Sequence, residues 1–122
     1  MTFQDSRKIE ANKFVQKYIN IYNSNSTRLR ILYRQNSKLC FEDKVYNGID
    51  EIIKVVKNQK FVIDNYHIHE IQISDYPNAI KVYINYTSNS YNKEMNQIIH
   101  IAMDNEMKRL YIINEEFYFY EK

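Results

Sequence analysis

Apolar and polar positions follow two rhythms along this chain, a helical one in its first part and a strand-like one afterwards. Ala11, Phe14, Val15, Tyr18 and Tyr22 fall on one helical face, and Glu10, Lys13, Lys17 and Asn20 on the opposite, solvated one. Asp5 or Ser6 is placed to cap this helix, which runs to about Tyr22. The polar run Asn23-Ser24-Asn25-Ser26 reads as a loop. Ser24 or Ser26 then caps a short helix through Tyr33, with Leu29 and Leu32 inward and Arg28 and Arg30 outward.

From Ser37 to Val56 the pattern changes twice. Leu39 and Phe41 alternate with Lys38, Cys40 and Glu42, as in a short strand. The acidic corner Glu42-Asp43 separates it from a second short strand, Lys44-Val45-Tyr46. Asn47-Gly48 follows, at the chain's only glycine, a turn signal because both residues tolerate positive φ. Ile49, Ile52, Ile53 and Val56 then recur at i, i+3, i+4 and i+7, the apolar stripe of a second helix ending at Asn58-Gln59.

The remainder is strand-like. Lys60 to Asp75 is extended with a change of phase, and a bulge near Asp64-Asn65 would reconcile its two parities. Asp75-Tyr76-Pro77-Asn78 is a turn. Ile80, Val82, Ile84 and Tyr86 alternate with Lys81, Tyr83, Asn85 and Thr87 in a clear strand. Ser88 to Asn92 reads as a hairpin loop, Met95 to Met103 as a strand, Asp104-Asn105 as a turn, and Lys108 to Tyr120 as the last strand. Helices first and long strands afterwards predict one α+β domain over residues 1–122, with helices packed on one side of an antiparallel sheet.

The long strands carry apolar residues on both faces. Met95, Ile99, Ile101 and Met103 oppose Ile98, His100 and Ala102, and Leu110 and Ile112 oppose Tyr111 and Ile113. Helices cover only one face of a sheet, so the second face, with Tyr83, Ile98, His100, Tyr111 and Ile113, is expected to meet a partner sheet. The alternative is a tyrosine-rich solvated face.

Composition narrows the function classes. Seventeen basic residues against fifteen acidic ones give a net charge of +2, which does not by itself argue for direct nucleic-acid binding. The single cysteine, Cys40, excludes an internal disulfide and reads as a small core residue. No apolar run approaches the ~18 residues of a membrane span, and MTFQDSRKIE has no signal-like apolar region, so an intracellular, soluble protein is expected. One glycine leaves no Gly-rich phosphate loop.

Candidate chemistry is sparse. His67 and His69, at strand spacing, would lie about 7 Å apart on one face. Two histidines need a third ligand to hold zinc, and Asp64 or Glu70 would serve only if the bend brought them in, so no metal site and no cofactor are expected. An acid–base reading would need His100 beside Asp43, Asp104 or Glu115, and these carboxylates fall at expected turns or strand ends.

The order of these pieces resembles the nuclear transport factor 2 family. The carriers are Phe41-Glu42, the short strand after it, Gly48 and the Ile-rich helix, with FVQKYINIYN (Phe14 to Asn23) similar to the family's first helix. RLRILYRQNSKL (Arg28 to Leu39) is similar to its second short helix and first strand, and YIINEEFYF (Tyr111 to Phe119) to its last strand, where the family carries Asn-acidic-x-Phe-Arg. The resemblance implies a curved antiparallel sheet wrapped around N-terminal helices, a cystatin-like cone, dimerising through the open sheet face. It implies a non-enzymatic nucleocytoplasmic transport factor, at the nuclear pore between cytoplasm and nucleus. Its partners would be Ran-GDP and the phenylalanine-glycine repeats of nucleoporins. Glu42, with Asp43 beside it, matches the acidic contact to Ran, and Phe41, Phe61 and Phe117 would line the apolar pocket that accepts an aromatic side chain.

Three positions depart from the family pattern. The loop Ser88-Asn89-Ser90-Tyr91-Asn92-Lys93 has no carboxylate, Arg7 (with Phe3 nearby) stands where the family has Trp, and Tyr118 replaces the Arg of the last motif. The small subunit of the heterodimeric mRNA export receptor also lacks the Ran contacts and is the alternative. A second alternative is an isomerase- or dehydratase-type enzyme on the same cone.

Overall fold

In the computed structural model, residues 3–59, 62–74, 79–88, 93–104 and 109–121 are described, without the side chains of 3, 4, 74 and 119–121. Helix α1 (Phe3–Asn25) leads into a 3-10 helix (Ser26–Leu32), β1 (Tyr33–Phe41) and β2 (Lys44–Asn47). Helix α2 (Ile49–Lys57) precedes the long strands β3 (Asn65–Ser74), β4 (Ala79–Ser88), β5 (Lys93–Asp104) and β6 (Arg109–Glu121). The fold class is the expected α+β, a curved, unclosed six-stranded sheet in the order β2-β1-β6-β5-β4-β3 with the helices on its inner face. All neighbours are antiparallel except β1 and β6, which run parallel. The turns expected at 75–78, 89–92 and 105 lie outside the described residues, as does Phe61.

Local chemistry explains the elements. Ala11, Phe14, Val15, Tyr18, Ile19 and Tyr22 are the buried stripe of α1, which runs three residues past Tyr22 because Asn25, not a serine, makes the next cap. Its side chain accepts from the Thr27 amide at 3.2 Å. Asn23 pins the chain ahead of β3 by two bonds with the Ile63 backbone, at 2.9 and 3.0 Å. Gly48 sits at φ +85°, where a side chain is strained and where a Cβ would approach Gln35 Oε1 to 3.2 Å. Its carbonyl starts α2, accepting from the Ile52 amide at 3.1 Å, and Glu51 caps the entry by accepting from the Asn47 amide at 2.7 Å.

On β4 the expected alternation holds from Ala79 to Ser88, with every second residue buried. Three register shifts interrupt the sheet elsewhere, and those in β3 and β6 change which parity of the strand faces the core. The bulge in β3 lies between Ile68 and Glu70, not near Asp64-Asn65. In β1 the shift between Tyr33 and Lys38 is closed by Ser37, whose hydroxyl donates to the Ile112 carbonyl at 2.5 Å and accepts from the Arg34 amide at 2.8 Å. In β6, His100 pairs with Asn114 while Ile101 pairs with Ile112, which leaves Ile113 as the extra residue.

Candidate functional site

The acidic corner is a two-residue hairpin turn. Phe41 pairs with Lys44, and Glu42 and Asp43 between them hold φ of 51° and 65°. Both carboxylates are exposed. The left-handed conformation at two non-glycine residues costs roughly 1–2 kcal/mol each. Phe41 turns inward beside this corner and meets Phe117 edge to face, with ring centroids 6.4 Å apart. The two phenylalanines, with Tyr22, Val55, Val56, Gln59 and Met95, line an apolar pocket at the mouth of the cone, of about 10 Å³, room for one water. Phe41 and Phe117 thus line one pocket beside the acidic turn.

Behind the pocket the interior holds a carboxyl group, Glu115, which the residue pattern alone puts at a strand end. Glu115 is fully buried, in the middle of β6 on the inner face. Tyr33 of β1 donates to its Oε1, and Gln97 of β5 donates to its Oε2 at 2.6 Å. The Tyr86 hydroxyl of β4 donates in turn to Gln97 Oε1 at 2.5 Å. Burial pushes the Glu115 carboxyl up to about 7, partly offset by the two hydrogen bonds. Burial first, and the Glu115 charge second, raise the hydroxyls of Tyr18, Tyr22 and Tyr86; Tyr33 shares these causes. Tyr22, which lines the mouth pocket and stacks on Tyr18 at 6.0 Å, has a buried hydroxyl without a hydrogen-bond partner among the described residues.

Sequence alternation missed Glu115 for a definite reason. Counting by twos from the buried Ile112 sends Asn114 and Glu116 inward. The extra residue at Ile113 inverts the phase, so Glu115 and Phe117 point in and Asn114 and Glu116 point out. The signal available was weak, namely polar residues on both parities of one strand.

The other candidates fall elsewhere. His100 is half-buried on the outer face; desolvation, then Lys81, lower its pKa, against the pull of Glu116. It is therefore not in the cone with Glu115. Asp104 is committed to Arg34 at 3.0 Å, and Asp43 is at the exposed turn. His67 and His69 lie with ring centroids 4.8 Å apart, both exposed on the edge strand beside the bulge. Among the described residues no group of three or more metal-ligating side chains occurs. Cys40 is not a core residue but half-buried opposite Leu39 and Phe41, on the outer face. Arg7 is buried and pairs with Glu10 at 3.0 Å.

Of the expected partner face, Tyr83, Ile98, His100 and Ile113 are half-buried. Tyr111 is buried, under the Arg34 guanidinium at 5.5 Å and hydrogen-bonded by Asn36 at 3.2 Å. The polar groups of this face pair sideways: Asn85 with Asn96 at 2.9 Å, Tyr118 with Glu116 at 2.9 Å, and the Lys81 ammonium over the Tyr83 ring at 5.0 Å.

A cone of curved sheet closed by helices, with a pocket at its mouth, is the architecture of nuclear transport factor 2-like proteins. The family model "Nuclear transport factor 2 (NTF2) domain" matches residues 10–119, and the chain belongs to that family. No curated protein matches it in sequence. The Candida albicans Mtr2–Mex67 M domain complex superposes with a TM-score of 0.78 at 12% identity, covering 94% of this chain and 95% of the other. Nuclear transport factor 2 of Cryptosporidium parvum gives 0.68 at 18% identity, with 89% and 90% covered. A cystatin-like fold protein of Burkholderia xenovorans gives 0.70 at 12%, with 92% and 90% covered. At these identities the likeness is one of fold, which enzymes and non-enzymes share.

Proposed function

We propose that this chain is a non-enzymatic nucleocytoplasmic transport factor that docks partners at the cone mouth and dimerises through the outer sheet face. The observation that carries this reading is the juxtaposition of the Phe41–Phe117 pocket with the acidic turn Glu42-Asp43. An apolar pocket with an anionic rim suits an aromatic side chain flanked by a basic residue, the contact through which the family meets Ran-GDP. The ring would enter by rotation of Phe41 or Gln59, since the resting pocket holds only about 10 Å³. Nucleoporin phenylalanine-glycine repeats would be the second partner, and the site of action the nuclear pore, between cytoplasm and nucleus.

Titration calorimetry against Ran-GDP tests the reading. Glu42→Lys should weaken binding by roughly 2–5 kcal/mol, the range for a partly buried interfacial charge. The fold should change by no more than about 0.5 kcal/mol, because Glu42 is exposed. No binding by the wild type, or equal binding by both, removes Ran from the proposal.

Two observations favour other readings. The likeness to the Mtr2–Mex67 complex favours the small subunit of an mRNA export heterodimer. Co-purification with the export receptor's matching domain tests it. The Glu115 carboxyl, pushed up to about 7 inside the cone, favours acid–base chemistry of the isomerase or dehydratase kind. Against it, the surrounding space is filled by Tyr18, Tyr33, Tyr86 and Gln97, all buried. Saturable binding of a small apolar carbonyl compound, lost in Glu115→Gln, would establish it.

A further inference from the structure

Away from the cone mouth and the outer sheet face, a groove of about 580 Å³ runs between α1, the 3-10 helix and the start of β6. It shares no lining residue with the mouth pocket. Its floor is apolar, formed by Phe14 and Leu32, both buried, and Leu110, half-buried. Ile31 stands at its edge with 52% of its surface exposed, the second most exposed of the large hydrophobic side chains described. Among the described residues three cations, Lys13, Lys17 and Arg109, rim the groove against one anion, Glu10, which is already engaged by Arg7 at 3.0 Å. Lys13 and Lys17 are one helical turn apart on the same side of α1, about 6 Å between Cβ atoms. Neither they nor Arg109 make an ion pair among the described residues.

We propose that this groove docks an acidic, amphipathic helical segment of a partner protein. Apolar side chains at i, i+3 and i+4 of such a segment would cover Ile31, Leu32 and Leu110, and its flanking carboxylates would face Lys13, Lys17 and Arg109. Charge complementarity selects the acidic segment over a basic one, and the apolar floor selects peptide over nucleic acid. The aromatic ring in the groove, Phe14, is 94% buried and offers no face on which a base could stack. A sequence reading takes the lysines for an ordinary solvated helix face, because the apolar half of the groove comes from residues 31, 32 and 110, remote in the chain.

The test is fluorescence anisotropy with a fluorescein-labelled amphipathic helical peptide of Glu and Leu, against the same peptide with Lys for Glu and against a labelled oligouridylate. The acidic peptide should saturate with a Kd of roughly 1–100 µM, the span of weak single-segment docking. Lys13→Glu combined with Lys17→Glu, and separately Ile31→Asp, should each weaken it at least about tenfold, a change of about 1.4 kcal/mol. All three positions are exposed, so circular dichroism should show an intact fold. The proposal is overturned by no saturable binding of the acidic peptide, by equal or tighter binding of the basic peptide or oligouridylate, or by variants that bind like the wild type.

Discussion

The two faces of strands β4 and β5 are built from neighbouring residues of the same chain, yet they are different environments. On the inner face Ile80, Val82, Tyr86, Ile99 and Ile101 have no exposed surface at all. One residue away on each strand, Lys81, Tyr83, Ile98 and His100 are only half-buried, shielded by one another and not by any packed element. Polar groups follow the same division. Inside, Gln97 donates to one partner and accepts from another, and it ties the carboxylate of Glu115 to the hydroxyl of Tyr86. Outside, side chains pair laterally and keep contact with water. A sheet face is therefore defined by what covers it; the apolar content of its residues is a poor guide.

The largest effect that would break this contrast is at Ile99 and Ile98. Ile99→Ala should cost about 2–5 kcal/mol of unfolding free energy, the range for a fully buried isoleucine. Ile98→Ala, measured by urea denaturation on the dissociated chain, should cost less than about 1 kcal/mol. Similar values for the two would mean that the faces are energetically alike.

Next is the pH dependence of Glu115. Its folded value of about 7 lies above the unfolded value of 4.5, so the native state binds the extra proton. The stability this favours is complete below pH 4.5 and is lost as pH rises through 7, by roughly 3 kcal/mol in all. Glu115→Gln should flatten the denaturation free energy between pH 5 and 7.5 and make the protein more stable than wild type at pH 8. A wild-type profile already flat across that window would show Glu115 ionised without penalty.

A smaller change is expected on the outer face. If it is the dimer surface, Ile98→Asp should weaken association by roughly 2–4 kcal/mol. Light scattering would then read 14.9 kDa where the wild type reads twice that. An unchanged mass would leave this face unpartnered. The least effect belongs to Glu116→Gln, one residue from Glu115 but on the outer face, where it accepts from Tyr118 at 2.9 Å. It should shift stability by no more than about 0.5 kcal/mol and leave in place the loss of stability that Glu115 imposes as pH rises through 7.

Much of this architecture is legible in residue order. The stripes of α1 and α2, the alternation of β4, the turn at Gly48 and the pairing of Phe41 with an acidic corner all follow from local periodicity, which depends on near neighbours only. What escaped reading depends on the extra residues. The extra residue Ile113 turns Glu115 inward, where Tyr33 of β1 meets it, and the register shift in β3 falls beside His69. A bulge is dictated by the partner strand, and the β6 residues that pair with β1 lie nearly eighty residues downstream, beyond any local pattern. The groove beside Lys13 and Lys17 escaped for the same reason.

The parallel pairing of β1 with β6 also bears on how the molecule is made. Tyr33 and Glu115 are 82 residues apart, and Ser37 reaches Ile112 over 75. β1 is therefore synthesised early but has its inner neighbour only after every other element exists. Until β6 arrives, Leu39 and Phe41 have an open edge beside them, and the hairpin with β2, four residues long, is too short to hold itself together. The loop closed by this pairing is the longest of any strand pairing among the described residues, and its entropy opposes early contact. Completion of the sheet should be a late, slow event in folding, with β3, β4 and β5 assembled first as a meander. During translation the nascent chain would present an unpaired apolar strand to solvent, which makes it a client for chaperones or for a pre-formed partner sheet.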